Sequence, residues 1–276
     1  MIDARGLARL QPSRKAAFTA FGAMLLRDLV VVKKGVTSFL LRTIMQPLLF
    51  VFVFTYVFPK IGQGIGGSAG AAEFSSLLVP GVVAIACIFQ GIQAVALPLV
   101  QEFSYTREIE DRVMAPLPVW AVAVEKIVAG ALQGVLASVI IFPLATFLPA
   151  TSVHLDIRWP ELLTFLPLAA IVGAALGLTI GTRADPRQVP LVFSILVIPI
   201  TFLGATYYPW SRLAPIPWLK WSVLINPLVY MSEAFRAALT PHIPHMAVPI
   251  LYLALLAFAL GLGWLGISGF RRRVLA

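Results

Sequence analysis

The sequence predicts an all-α integral membrane protein with six transmembrane helices, and three observations predict it. Hydrophobic residues make up 59% of the 276-residue chain and charged residues only 12%, against about 25% charged in an ordinary soluble domain. Mean hydropathy is +0.92. The apolar residues fall into six stretches of the length that crosses a bilayer, about 20 residues each, and the charges collect between them.

Residues 1–15 are basic and polar, with Arg5, Arg9, Arg14 and Lys15. No compact apolar core with a small-residue cleavage site follows, so a removable signal peptide is not expected. Over residues 16–34, Phe18, Phe21, Leu25, Leu29 and Val32 share one helical face, with Arg27 and Lys34 opposite. That pattern suits an amphipathic helix lying in the membrane interface; packing against a soluble partner is the alternative. The spans follow at about 38–58, 76–100, 119–149, 162–182, 189–208 and 247–270.

Orientation comes from the positive-inside rule. Six spans put both termini on one side. Sixteen of the 21 Lys and Arg residues fall on that side, among them Lys126, Arg183 and Arg271–Arg273; Lys60, Arg158, Arg212, Lys220 and Arg236 fall on the other. Both termini are therefore expected in the cytoplasm. This placement of the bases at span ends, despite a net charge of +9, also argues against a nucleic-acid partner.

Between the second and third spans the chain changes character. Glu102, Arg107, Glu108, Glu110, Asp111 and Arg112 are crowded into one short cytoplasmic stretch. Tyr105, Ile109 and Val113 recur at helical spacing. Glu108 with Arg112 and Arg107 with Asp111 form i,i+4 pairs, and Pro116 and Pro118 end the segment. The spacing predicts a short amphipathic helix over 102–113, a docking element rather than a solvated loop.

Residues 209–246 are apolar, but Pro209, Pro215, Pro217, Pro227, Pro241 and Pro244 cut them into pieces too short to cross. Pieces of that length read as external re-entrant or interfacial helices. Tyr207, Tyr208, Trp210, Trp218 and Trp221 crowd the entrance, as an interfacial aromatic belt or a surface for a departing substrate. In the fourth span Gly173, Gly177 and Gly181 recur every four residues, which permits close helix approach in lipid. Packing within the subunit is the preferred reading there, and a subunit interface the other.

Several chemistries are missing from the sequence. The spans carry essentially no ionisable residue away from their ends, which disfavours an ion-coupled carrier. There is no Gly-x-x-x-x-Gly-Lys-Ser/Thr phosphate loop. Gly62, Gly64 and Gly67 match a dinucleotide fingerprint formally, but a span rather than a strand precedes them. His242 and His245 are separated by Pro244, a poor metal pair, so no metal site is expected; Cys87 lies alone in an apolar run.

The whole pattern resembles the permease subunit of the ABC-2 (type V) exporters, which include drug, O-antigen and teichoic-acid permeases. The resemblance rests on the six spans, the N-terminal interfacial helix, the charged loop followed by Met114-Ala-Pro-Leu-Pro118, and Tyr208-Pro. It rests also on Leu213-Ala-Pro-Ile-Pro217 and Asn226-Pro-Leu-Val-Tyr with Glu233-Ala-Phe-Arg236. It implies a bacterial cytoplasmic (inner) membrane protein that is not itself an enzyme. No cofactor is expected on this chain, since ATP and Mg would be held by a cytoplasmic ABC ATP-binding subunit. A second permease, identical or paralogous, and membrane lipids are the other implied partners.

By that likeness, Glu102, Tyr105, Arg107, Glu108, Ile109, Glu110, Asp111 and Arg112 couple to the ATPase. Gln46, Gln90, Gln93, Ser194 and Thr201 are candidate pathway-lining residues. Tyr208, Trp210, Trp218, Trp221, Asn226, Pro227, Glu233 and Arg236 belong to the external gate and re-entrant segment. The cargo would be a lipophilic drug, a lipid or a lipid-linked glycan. An ion-coupled secondary transporter and a multi-span enzyme acting on lipid-linked substrates are the alternatives.

The charge asymmetry generates a topology test. In a background lacking Cys87, Gly66→Cys and Asp156→Cys should be labelled by an impermeant maleimide from outside the cell, and Glu108→Cys should not. The reverse pattern would invert the assignment.

Overall fold

The computed structural model describes residues 14–61, 67–104, 117–184, 195 and 199–275. Among them every regular element is helical. Residues 105–113 of the charged segment, Ser194, Gly62 and Gly64 lie outside the described residues, as does the side chain of Gln46.

The chain enters as α1 (Arg14–Lys34) and passes through Gly35 alone into α2 (Val36–Val51). A π-helical stretch, Phe52–Val57, carries α2 onward, one turn beyond Pro47, whose missing N–H breaks the regular ladder. A helix thus forms over the residues expected, but its two-faced character is not clean. Leu26, Val30 and Val31 are exposed, while Leu25, Asp28 and Leu29 are half-buried.

The long helices are α3 (Gly67–Ser104), α4 (Val119–Phe147), α5 (Trp159–Arg183) and α8 (Val248–Leu275). With Val36–Val57 they make five described helices long and apolar enough to cross a membrane. The stretch expected as the fifth of six spans, 189–208, is described only at 195 and from 199 onward, where residues 199–202 are helical. Helix α3 starts nine residues before the expected span, so the last part of the glycine-rich loop is helix rather than coil.

Helix α3 is the axis of the bundle. Val82, Ile85, Ile88, Ile92, Val95 and Leu99 along it are buried. Its tightest neighbour is α5, and the α5 glycines show why. A Cβ on Gly173 would sit 3.0 Å from Ile88 Cα, one on Gly177 2.8 Å from Ile92 Cα, and one on Gly181 3.1 Å from Ala96 Cα. Gly91 of α3 returns the contact, its Cβ position 2.9 Å from the Ala174 nitrogen. The fourfold glycine spacing therefore serves packing within the subunit, backbone against backbone. Polar side chains in the helices close on their own turns. Thr55 donates to Val51 O, Ser138 to Gly134 O and Thr179 to Ala175 O, as an apolar surrounding requires.

One end of the bundle collects the start of α4 and the ends of α3, α5 and α8. There Arg273 donates from Nη1 to Gly181 O at 3.1 Å and lies 4.8 Å from the Phe103 ring centre. Asp28 of α1 reaches the same end through Lys126 of α4. The elements nearest both termini therefore share it with the 105–116 connection.

The opposite end carries the broken segment. A 3-10 turn, Trp210–Leu213, leads to α6 (Pro217–Ser222), a second 3-10 turn, Val223–Ile225, and α7 (Pro227–Leu239). The 13 residues of α7 rise about 20 Å, short of the ~30 Å hydrocarbon core. Asn226 caps α7, accepting from Leu228 N–H at 3.0 Å, and its Nδ2 donates to Ile200 O at 2.8 Å. At the other end of α7, Asp156 N–H and Arg158 N–H donate to Leu239 O and Ala238 O, satisfying carbonyls that a helix end leaves open.

The segment is locked by a buried pair. Glu233 accepts from Trp210 N–H at 2.9 Å, Met246 N–H at 2.8 Å and Arg236 Nη1, while Arg236 Nη2 donates to Ala205 O at 2.8 Å. Ala205 has φ 52°, a left-handed conformation that costs a residue with a Cβ about 1–2 kcal/mol and that this bond helps hold. Arg236, expected to be an external base, is 0% exposed and Glu233 1%. Burial alone pulls the guanidinium pKa down from its ordinary value, and Glu233 opposes that.

Two substitutions test this construction. Gly177→Leu should lower folding stability by about 1–3 kcal/mol, because its neighbours are backbone and cannot rotate aside. Gly261→Leu, where nothing lies within 4 Å, should change the melting of the purified protein little. Arg236→Met should cost about 3–5 kcal/mol by leaving a buried carboxylate alone. Adding Glu233→Gln to Arg236→Met should recover part of that loss in the same melting assay.

Candidate functional site

A chamber of about 790 Å³ opens between α1, α2, α3 and α4. Helix α3 supplies one wall, with Gln90, Gln93, Ala94, Leu97, Pro98 and Gln101 recurring on a single face. From α1 come Arg27, Asp28, Val31 and Val32; from α2, Ser38 and Phe39; from α4, Lys126 and Gln133, two turns apart. The wall formed by α1 and α2 is thin, since many of their residues outside the lining, such as Leu26, Leu41 and Leu49, are exposed.

The inner end of the chamber is a chain of uncharged polar groups. Thr43 Oγ1 donates to Gln90 Oε1 at 3.0 Å, and Gln90 Nε2 donates to Gln133 Oε1 at 3.4 Å. Gln93, one turn along, makes no hydrogen bond to any described residue. It also borders a small pocket of about 10 Å³ beside Pro47 and Phe89, close to the room one water needs.

At the other end sits a buried ion cluster. Lys126 Nζ lies 2.8 Å from Glu102 Oε1 and 3.1 Å from Asp28 Oδ2. The Lys126 side chain is 3% exposed and that of Glu102 8%. A lysine surrounded by helix is tolerated when paired, and removing one member of such a cluster leaves a costly lone charge. Lys126, counted from the sequence among the bases near a span end, is thus enclosed in protein. Glu125 and Lys126 lie two turns inside α4, both buried.

The expected pathway residues divide accordingly. Gln90 and Gln93 face the chamber together. Thr201 does not; it is 2% exposed and its carbonyl accepts from the Thr206 hydroxyl at 3.3 Å. Glu102, expected on the docking helix, lies in the last turn of α3 with its carboxylate on Lys126. Tyr105, Arg107, Glu108, Ile109, Glu110, Asp111 and Arg112 lie outside the described residues.

Of the external set, Trp218 and Trp221 are 74% and 66% exposed. Tyr208 is half-buried and donates to Phe202 O. Trp210 donates from Nε1 to Lys220 O, with the Lys220 ammonium 4.4 Å from the centre of its ring. Asn226, Pro227, Glu233 and Arg236 act as internal scaffold.

Sequence reading missed Asp28, Lys126 and Gln133 as chamber residues, and Thr43 as the partner of Gln90. The signal available was in α4, where Glu125, Lys126 and Gln133 interrupt an otherwise apolar helix. It gave no indication of the helix they meet.

Comparison with known proteins bears on what this arrangement serves. A family model described as ABC-2 type transporter matches residues 19–240, from α1 to the end of α7. The chain is 26% identical over 197 residues to "Inner membrane transport permease YadH" of Escherichia coli strain K12, an alignment covering 71% of this chain and 74% of that protein. The proteins of the same name from Escherichia coli O157:H7 and Shigella flexneri align to the same extent. With the match running through the chamber helices and the buried α7 scaffold alike, the chain belongs to the ABC-2 type transporter family.

Proposed function

We propose that this membrane permease subunit is the transmembrane half of an ATP-driven exporter in the bacterial inner membrane. ATP and Mg are held by a separate cytoplasmic subunit, and two permease chains, identical or paralogous, make up the membrane part. Family membership carries the reading. Two features support it: the sequence has no phosphate loop, and a large polar chamber lies at the end of the bundle where the 105–116 connection joins α3 to α4. The bases concentrated at that end favour the cytoplasm for it. Cargo enters the chamber from the cytoplasm or inner leaflet and leaves past the aromatic external segment.

The charged segment 102–113 is the element that receives the motion of the ATP-binding subunit. ATP biases the permease only through contacts that differ between two states, and a charge-dense connection between two packed spans is placed to make them. Lipophilic drugs, lipids and lipid-linked glycans are the cargo classes such a path accommodates. The buried Asp28–Lys126–Glu102 cluster gives one observation in favour of an ion-coupled carrier; transport that persists on an ion gradient without ATP would support it.

The test is charge reversal in the segment. Glu108→Lys, Glu110→Lys and Asp111→Lys together should leave membrane insertion intact but weaken association with the ATP-binding subunit by tenfold or more, since buried interfacial charges are worth about 2–5 kcal/mol each. ATP hydrolysis by the reconstituted complex should fall with it. Reversal of Arg183 and Arg187 serves as the matched control and should matter less. Normal assembly and hydrolysis in the triple variant would reduce the segment to a solvated loop.

A further inference from the structure

We propose that the chamber receives the uncharged, hydrogen-bonding head of an amphiphile, one bearing hydroxyl or amide groups and no net charge. The inference deepens the exporter reading, on which it rests, by naming the chemistry of the head that the chamber selects.

The argument begins with charge. Among the described residues the lining carries two bases, Arg27 and Lys126, and two acids, Asp28 and Glu102, which balance in formal charge. Lys126 is already engaged by both carboxylates, at 3.1 and 2.8 Å. To reach Lys126, an anionic head would have to displace its two carboxylates. A cationic head would have to compete with a buried ammonium for the same oxygens. Either exchange leaves a charge uncompensated at a buried cluster, the costly outcome for buried ion pairs.

The remaining polar lining is of another kind. Gln90, Gln93, Gln101 and Gln133, with Ser38, offer carboxamides and a hydroxyl, groups that both donate and accept. Gln90 and Gln133 are preoriented by the chain that starts at Thr43. Gln93 has no described partner, so its amide is left to meet a ligand or water. A site built to hydrogen-bond hydroxyl or amide groups discriminates against heads that lack them, because its own polar groups then go unpaired.

Size and the lipid side complete the picture. A volume of about 790 Å³ falls in the range, roughly 300–1,000 Å³, of pockets that enclose small ligands. Val31, Val32, Phe39 and Leu97 belong to the apolar part of the lining, and the α1 neighbours Leu26 and Val30, outside the lining, are exposed. A head held at the glutamines leaves an attached alkyl chain to run over this apolar wall toward lipid.

The test needs no ATP-binding subunit. The full chain carrying Ser38→Cys is reconstituted in lipid nanodiscs, where Cys87, 0% exposed, contributes no labelling. Maleimide reaction at the new thiol is timed with three probes of equal chain length below their micellar concentrations: dodecyl β-glucoside, dodecyl phosphate and dodecyltrimethylammonium. The glucoside should slow labelling, and the two ions should do so only at concentrations about tenfold higher, the equivalent of roughly one hydrogen bond. Gln93→Leu should raise the glucoside concentration for half-protection by a similar factor. Leu26→Cys, on α1 but outside the lining, should show no protection.

Equal protection by the charged probes, an unchanged concentration in Gln93→Leu, or protection at Leu26→Cys would each overturn the proposal. Should Gln93→Leu fail to insert, Gln93→Ala makes the same comparison. Failure of the exporter reading is separate: it shows as absence of ATP-dependent transport in the assembled complex while the labelling pattern stands.

Discussion

The close approach of α3 and α5 is the contact on which the rest of the architecture depends. Apolar side chains gain little by leaving lipid for one another, so helix association within a bilayer rests on packing. Gly173, Gly177 and Gly181 bring α5 onto the backbone of α3 at Ile88, Ile92 and Ala96. With that face of α3 occupied, its remaining surface serves two purposes. Residues near Val82 and Ile85 join the buried core shared with α7, while Gln90, Gln93, Leu97 and Gln101 turn toward the chamber. A bulkier residue at any of the three glycines would displace the helix against which all the others are positioned.

A second constraint is that every polar group drawn into this bundle needs a partner. The molecule meets much of this need in three ways, while the Tyr207 and Ser232 hydroxyls stay buried without a described partner. Isolated hydroxyls return to the carbonyl one turn earlier, as Thr55, Ser138 and Thr179 do. The proline-broken segment gathers its needs on Glu233, whose two oxygens serve Trp210, Met246 and Arg236, so that one carboxylate ties a 3-10 turn, α7 and the approach to α8. The chamber uses Lys126 in the same manner, between α1 and α3. Such pairs add less to stability than their number suggests, but they fix which segments lie together.

Much of the fold was legible because its signals are local. Long apolar runs located α2 through α5 and α8, the prolines cut residues 209–246 into the pieces observed, and Asn226-Pro227 marked the start of α7. Helix limits were less legible: hydropathy reports the part that lipid would cover, whereas α3 begins at Gly67. The larger misreading concerned charge. Arg236 and Lys126 were counted as bases on the two sides of a membrane, and both are enclosed in protein. Nothing local in the sequence distinguishes a lysine that faces water from one that faces a carboxylate 24 or 98 positions away. Gln90 and Gln93 were named as pathway candidates through the family resemblance. Gln133 and Asp28 were not, since they enter through tertiary contact alone.

The contrast between the two sides of α3 bears on how a permease of this design can move. A seam in which backbone touches backbone does not deform gradually, because close-packed interiors resist compression and gaps alike. The α3–α5 pair, with α7 against it, behaves as one body in any transition that preserves those glycine contacts. The wall contributed by α1 and α2 is different in kind. Its outward residues are largely exposed, and only Gly35 separates its two helices. Low burial is the physical mark of segments that open at little cost. If the chamber admits cargo by a change of shape, the change belongs on the α1–α2 side, and the ion cluster at Lys126 lies on the boundary between the part that yields and the part that does not.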